Sequence, residues 1–512
     1  MKKKILLLFC LLAIISPSVL PQNANDIITE SNLKINLEVL ASDLFEGREA
    51  TTRGEKLSQL YIISQLRKNG VKPFFENKSY LQPFDLNLVA NDENSTLTFT
   101  NDNEQTELKF INDFILNRGS STDNINGLYK LVFVGYGITA EEFNYDDYKN
   151  LDVKGKIVLI LDGEPSDTTK DFSKYSNLNS KKEKAIKHGA AGMIIQANKR
   201  TISFWERYTG YLKRPNFVLP KNDEENKPTF SAFYINDNAL NKLFSTQSLE
   251  FEKIVNNIKE TDDFVPIEFE GSLKINFKKN IELKQSANII GLIEGNDHVL
   301  KNEYVAIGAH YDHLGIINGK VYNGADDDGS GTVTIMEVAK TLAKTKANKR
   351  SVLIIFHAGE EKGLLGSSYL TDNLQLIKDK KIVAQINIDM VGRMTTDSIY
   401  SIGSDKLSTE MKNIVEDVNS KTVKFYLDYK YDDPNDPNRF YYRSDHYNYA
   451  KHGIPIVFFF DDMREDYHKD TDEVDKINFK KLKRISWLVY GVTLRIANLD
   501  HRLVVDKPIS NE

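Results

Sequence analysis

Along the second half of the chain, short apolar runs alternate with stretches whose apolar residues recur every three or four positions. The runs are 286–295 (SANIIGLIEG), 303–310 (EYVAIGAH), 351–361 (SVLIIFHAGEE), 383–392 (VAQINIDMVG) and 453–462 (GIPIVFFFDD). The helical patterns are 334–344 (TIMEVAKTLAK), 408–420 (STEMKNIVEDVNS) and 479–499 (FKKLKRISWLVYGVTLRIANL). Continuous apolar runs of this length read as buried strands, and their alternation with helices predicts an α/β sheet with helices on both faces. Each run ends in a polar tip. The pattern therefore predicts that the tips lie at the C-terminal ends of the strands and converge on one edge.

Nearer the N-terminus the periodicity changes. Residues 42–73 open like a capped helix, carry Leu57, Leu60, Tyr61, Ile63 and Leu66 at helical spacing, and stop at Gly70. Glu46, Gly47 and Arg48 in this stretch read as structural. From about 85 to 130, short alternating runs such as 96–100 (TLTFT) and 107–110 (ELKF) predict strands, as does 130–137 (KLVFVGYG). A βαβ element follows, with the strand 153–163 (VKGKIVLILDG) and the Lys-rich helix and strand of 181–196. There Lys181, Lys182, Lys184 and Lys187 predict a solvated helix face, and His188 beside Gly189 a helix end. Residues 200–285 continue as strand-like and polar pieces.

At 512 residues the chain exceeds what one hydrophobic core supports, so two domains are expected. The boundaries read as a signal peptide over 1–22, a helical segment over 23–90 packed on the catalytic domain, a smaller inserted domain over 91–284 and the catalytic domain over 285–505. The signal peptide rests on Lys2–Lys4 and the apolar stretch 5–15, too short to span a bilayer, and it predicts an exported, periplasmic or secreted protein. No other stretch predicts membrane insertion. The one cysteine, Cys10, lies inside that segment, so the mature chain has no disulfide and no thiolate metal site. A near balance of 67 basic and 73 acidic residues gives no sign of a nucleic-acid partner. Nothing in the sequence specifies an oligomeric state.

The chemistry concentrates in 308–331 (GAHYDHLGIINGKVYNGADDDGSG). His310 and Asp312 follow a buried strand, and Asp326, Asp327 and Asp328 stand together in a Gly-rich turn before a helix. Three adjacent carboxylates at a sheet rim call for a cation. The other strand tips supply Glu360 and Glu361, then Asp389, then His468. His310, Asp327, Glu361, Asp389 and His468 form an all N/O donor set that suits zinc, with manganese or cobalt as alternatives. Five side chains exceed one tetrahedral ion; with one carboxylate bridging they serve two. Glu360, beside a ligand, is then the natural general base. His313, His357 and His446 read as supporting or structural residues.

The motifs GAHYDHLG, NGADDDGSG, AGEEKGLLGS, INIDMVG, RSDH and DYHKDTD, in this order, resemble the M28 family of co-catalytic zinc aminopeptidases. The likeness covers about 285–505, while 125–265 resembles the protease-associated (PA) domain inserted in many such enzymes. The resemblance implies a mixed, largely parallel sheet of the zinc exopeptidase, phosphorylase/hydrolase-like type with a smaller β-rich PA-like insertion. It implies two zinc ions per chain, His310 and Asp389 on one, Glu361 and His468 on the other, and Asp327 bridging, with a cis peptide to Asp328. It further implies Glu360 as base, Asp312 as the carboxylate that orients His310, and Tyr441 as an oxyanion donor. The activity implied is removal of N-terminal residues from peptide substrates. A carboxypeptidase, a glutaminyl-cyclase-like member and a non-catalytic binding relative are the alternatives.

Overall fold

Every residue of 351–357, 382–388 and 456–460 is buried, as is all but the first of 304–310. Strands that must be apolar on both faces belong at the centre of a sheet covered by helices, and that is where the computed structural model puts them. It describes residues 27–509 apart from 103, 118–123, 168, 221–229, 262–263 and 394. The expected signal peptide, 1–22, lies outside the described residues. The chain divides into two compact units, Met1–Leu86 with Lys284–Glu512, and Asn87–Leu283.

Eight of the ten strands of the large sheet are β1 (Leu81–Asn91), β2 (Lys279–Ile293), β3 (Tyr304–His310), β4 (Ser351–His357), β5 (Ile382–Ile388), β6 (Ser398–Ile402), β7 (Tyr426–Asp428) and β8 (Ile456–Phe460). They lie side by side in the order β1-β2-β4-β3-β5-β8-β6-β7. The central four, β4, β3, β5 and β8, are parallel. Sheet edges need not obey that rule: β2 runs antiparallel to β4, and β6 antiparallel to β8. The convergence expected of all the polar tips therefore fails for the run 286–295, whose C-terminal end lies on the opposite edge from His310 and His357.

Helices α1 (Glu30–Leu40), α2 (Arg53–Lys68), α3 (Gly331–Thr345), α4 (Thr409–Lys421) and α5 (Phe479–Ala497) belong to the same unit. α3 is buried from Gly331 to Ala339, because α1, α2 and α5 cover it while its inner side meets β3, β4 and β5. On α2 the buried side chains are Glu55, Ser58, Ile62 and Leu66, whereas Leu60, expected on the core face, is 68% exposed. The periodicity was right and its phase was not: the inward face includes Gly54 and the hydrogen-bonded Glu55, which a hydropathy pattern discounts.

The second unit carries a six-stranded sheet in the order Ile267–Glu268, Leu131–Phe133, Ile157–Ile160, Gly192–Gln196, Ser231–Ile235, Phe114–Leu116, beside an antiparallel four-stranded sheet. Phenylalanines, among them Phe99, Phe114, Phe133, Phe233, Phe244 and Phe277, fill its core. Two readings change here. Within 200–285 the structure has helices at Trp205–Leu212, Asp237–Ser245 and Phe251–Thr261. Asn236 caps the second by accepting from Ala239 N–H, and Ala239, Leu240, Leu243 and Phe244 form its buried stripe, a signal the strand reading overlooked. Lys181 is not solvated: it is buried and its Nζ donates to the carbonyls of Leu161 (3.0 Å) and Gly163 (2.6 Å).

Near the start of α5, Lys481 is fully buried and paired with the equally buried Asp461, just after β8. Removing one partner leaves an uncompensated buried charge. Lys481→Met is expected to lower stability by about 3–5 kcal/mol, read as a shift in the denaturant midpoint. A midpoint equal to that of the parent chain would show that the pair adds nothing.

Candidate metal centre

Four segments leaving the central strands bring titratable side chains to one point. His310 is the last residue of β3, Asp389 follows β5 directly, and Glu360 and Glu361 lie in the turn after β4. His468 comes from the loop after β8, and Asp327 from the turn that opens α3. That turn needs glycine: Gly324 has φ +52, and a Cβ there would lie 2.4 Å from the His313 ring.

His310 Nε2 lies 3.3 Å from Asp327 Oδ1, 3.5 Å from Asp389 Oδ1 and 3.9 Å from Glu360 Oε2. The other oxygen of Asp327, Oδ2, lies 3.3 Å from His468 Nε2, which is 3.0 Å from Glu361 Oε2. Asp327 thus faces two groups of donors with its two oxygens. The peptide between Asp327 and Asp328 is cis. His310, Asp327 and Asp389 make one potential ion-binding group, and His313, Asp327 and Glu361 another.

His310 Nε2, Asp327 Oδ2, Asp389 Oδ1 and Glu361 Oε1 are buried without a hydrogen bond of acceptable geometry. Buried polar atoms are rarely left so. Here they point at shared spaces, so the donor set fits divalent cations: nitrogen and oxygen only, no thiol. The charges agree. Although burial opposes a charge on His468, Asp327 and Glu361 lift its pKa to about 10. Burial likewise raises the Glu360 carboxyl well above the ordinary range, against the pull of His310. An ion bound at His468 would take the place of the proton that the raised pKa favours there.

The surrounding polar groups fix the donors. Asp389 Oδ2 accepts from Ser444 Oγ at 2.7 Å, and Ser444 in turn accepts from Asn387 Nδ2 at 2.9 Å. Asp328 Oδ1 accepts from Gly331 N–H and Met390 N–H, and Asp326 Oδ1 from Gly392 N–H. The three aspartates therefore divide their work: the middle one faces the donors and its neighbours tie loops together. The orienting contact expected of the Asp312 carboxylate comes instead from its backbone carbonyl, 3.1 Å from His310 Nδ1; the carboxylate stands at 3.8 Å and accepts from Glu360 N–H. Burial pushes the Asp312 carboxyl up to about 7.

An open cavity borders Asp327, Glu360, Asp389 and His468. Met390, Phe440, Phe458, Phe460 and Met463 form its apolar wall, with Arg443 and Tyr467 also lining it. Tyr441 does not line it; it packs against Gly403, His446 and Tyr447. Sequence reasoning passed over three residues. Tyr467 stacks on His468 with ring centroids 3.8 Å apart. His313, read as a supporting or structural residue, stands 2.8 Å from Glu361. Arg48, read as structural without a stated partner, is buried and donates to the carbonyls of Leu40, Tyr311, Asn323 and Gly324. His313 could have been found from its spacing, three residues after His310; Arg48 had no local signal.

Residues 288–493 match the model of peptidase family M28, and residues 128–243 that of the PA domain. A probable leucine aminopeptidase of Arthroderma otae is 28% identical over 276 residues, 49% of this chain and 74% of that protein. One of Trichophyton verrucosum is 32% identical over 206 residues, 38% of this chain and 54% of that protein, so the chain spans about half of that relative. Among solved structures, an aminopeptidase from Aneurinibacillus sp. strain AM-1 superposes with a TM-score of 0.54 at 20% identity, over 95% of this chain and 99% of that one, a likeness of fold. No described helix is long and apolar enough to cross a membrane.

A cation that binds only the folded chain stabilises it by mass action, about 2.7 kcal/mol at a hundred times its Kd. Prolonged dialysis against a chelator is therefore expected to lower the unfolding temperature, and a divalent transition metal to restore it. An unfolding temperature indifferent to both treatments would mean that these donors hold no ion.

Proposed function

With residues 288–493 a peptidase family M28 domain and residues 128–243 a PA domain, we propose that this chain is a dinuclear zinc aminopeptidase that hydrolyses the N-terminal bond of peptides. The observation that carries the reading is the sharing of Asp327 between two donor groups, with Glu360 beside them at the mouth of an apolar cavity. His310 and Asp389 would hold one ion, Glu361 and His468 the other, and Asp327 both. When bound, such a pair of ions supplies Lewis acidity toward the scissile carbonyl and acidifies water.

The chain's own groups do the rest. Glu360 takes a proton from the attacking water on its carboxylate; as the C–N bond breaks, it gives that proton to the leaving amine nitrogen. Ser444 and the Asp312 carbonyl keep Asp389 and His310 aimed at their ion. The Met and Phe wall accepts an apolar side chain and excludes water from the reacting bond. Tyr467, in the cavity lining, is better placed than Tyr441 to donate to a developing oxyanion. The names of the fungal relatives, leucine aminopeptidases, agree with an apolar first residue. Export by the N-terminal segment belongs to the same reading. Arg443 in the lining favours the carboxypeptidase alternative, because a guanidinium can hold a terminal carboxylate.

Two measurements test this. Glu360→Gln is expected to keep its metal content and lower kcat by roughly 10²–10⁴-fold; turnover near that of the parent would remove Glu360 from the mechanism. On a peptide panel, cleavage should demand a free amine, tolerate a C-terminal amide and favour Leu, Met or Phe at the first position. Cleavage that instead survives N-acetylation and demands a free carboxylate would establish the Arg443 reading.

A further inference from the structure

His313 is fully buried, and neither of its ring nitrogens makes a hydrogen bond of acceptable geometry among the described residues. Its Nδ1 stands 2.8 Å from Glu361 Oε1 and 3.9 Å from Asp327 Oδ2. His468 Nε2 approaches those same two carboxylates, through Glu361 Oε2 and Asp327 Oδ2. The two imidazoles thus reach one space from two sides, with ring centroids 6.0 Å apart and planes at 70°. Behind the His313 ring lies Gly324, where any Cβ would strike Cγ and Cδ2 at 2.4 and 2.5 Å. The fold keeps that position bare and so fixes the ring against the cluster.

We propose that His313 is a fourth protein ligand, through Nδ1, of the ion held by Asp327, Glu361 and His468. The inference rests on the two-ion reading above and makes the two subsites unequal. His310, Asp389 and Asp327 offer three donors, which leaves a position open to water or substrate; His313, His468, Glu361 and Asp327 offer four, the number of a closed site. The four-donor subsite fills first and releases its ion last, and the three-donor subsite is the exchangeable one.

The competing role is a hydrogen bond from Nδ1–H that orients Glu361. Nδ1 and Glu361 Oε1 lie 2.8 Å apart, a distance that either role allows. The Nε2 atom has no described partner under either role and does not discriminate. His313→Asn does, because it keeps an amide N–H donor near the Nδ1 position but offers only a poor zinc ligand.

The test is metal binding, independent of turnover. Metal-free parent chain, His313→Ala and His313→Asn are titrated with zinc against a chromophoric chelator, and with cobalt followed by its visible absorption. Parent chain should bind two ions of unequal affinity. Both variants should weaken the tighter subsite by more than about 100-fold, beyond the roughly 10–100-fold that an outer partner is worth, leave the weaker subsite within a few-fold, and change the cobalt bands of the tighter one. If His313→Ala fails to fold, His313→Asn, which conserves the shape of the side chain near the backbone, carries the test alone. Unchanged affinities in His313→Asn, or the same loss at both subsites, would overturn the ligand role. Parent chain that binds fewer than two ions would instead overturn the two-ion reading, a result visible before any variant is compared.

Discussion

Mutual repulsion among buried carboxylates is the constraint on which this structure turns. Asp312, Asp326, Asp327, Asp328, Asp389 and Asp472 are each at most 7% exposed, and Glu361 sits among them. Two like charges 4 Å apart repel by about 4 kcal/mol even at an effective dielectric of 20. No packing of apolar groups offsets that. Each carboxylate must be matched by a donor, a basic side chain or a cation, and the loops are arranged to provide these matches.

The arrangement is layered. One oxygen each of Asp326 and Asp328 accepts from backbone: Gly392 N–H for the first, Gly331 and Met390 N–H for the second. Asp472 accepts from the N–H groups of Asp326 and Asp327, and Arg393 bridges Asp466 and Asp472 while lying 3.7 Å from Asp326. Arg48, from the segment before α2, draws together the carbonyls of Asn323 and Gly324 at the entrance to the aspartate turn with that of Tyr311, between His310 and Asp312. Among the buried atoms left without a hydrogen bond are those that face the shared spaces, His310 Nε2, Asp327 Oδ2, Asp389 Oδ1, Glu361 Oε1 and His313 Nδ1, together with the second oxygens of Asp312, Asp326 and Asp328. With one oxygen each of Asp312, Asp326, Asp328 and Asp389 held by a donor and the central donor atoms left bare, the site is preorganised for ions, which then arrive without reorganising the loops.

The parallel centre of the sheet gives this cluster its rigidity. β3, β4, β5 and β8 run in one direction and release their loops at a common edge, so His310, Glu360, Asp389 and His468 hang from strands that cannot slide. The apolar wall of the cavity grows from the same strand: Phe458 and Phe460 belong to β8, with Met463 in the loop that leads on to His468. β8 thus contributes both to the cavity wall and, through the loop that follows it, to the donor set.

The sequence by itself determined the class of fold, the order of the main strands and helices of the catalytic unit, and most of the donor set, because apolar periodicity and runs of chemically costly residues are local facts. A triplet of aspartates before a helix, or paired glutamates after a buried strand, is anomalous wherever the chain goes. It did not determine direction at the sheet edge: 286–295 reads like any buried strand, and only its pairing with β4 turns its tip away. Nor did it separate Leu60 from Ile62 on α2, assign the Asp312 carbonyl rather than its carboxylate to His310, or choose Tyr467 over Tyr441 for the cavity. Arg48 and His313 were beyond it as well. Their roles depend on which carbonyls and carboxylates surround them, groups up to 276 residues away in the chain, and such neighbours exist only once tertiary packing has brought the loops to one edge.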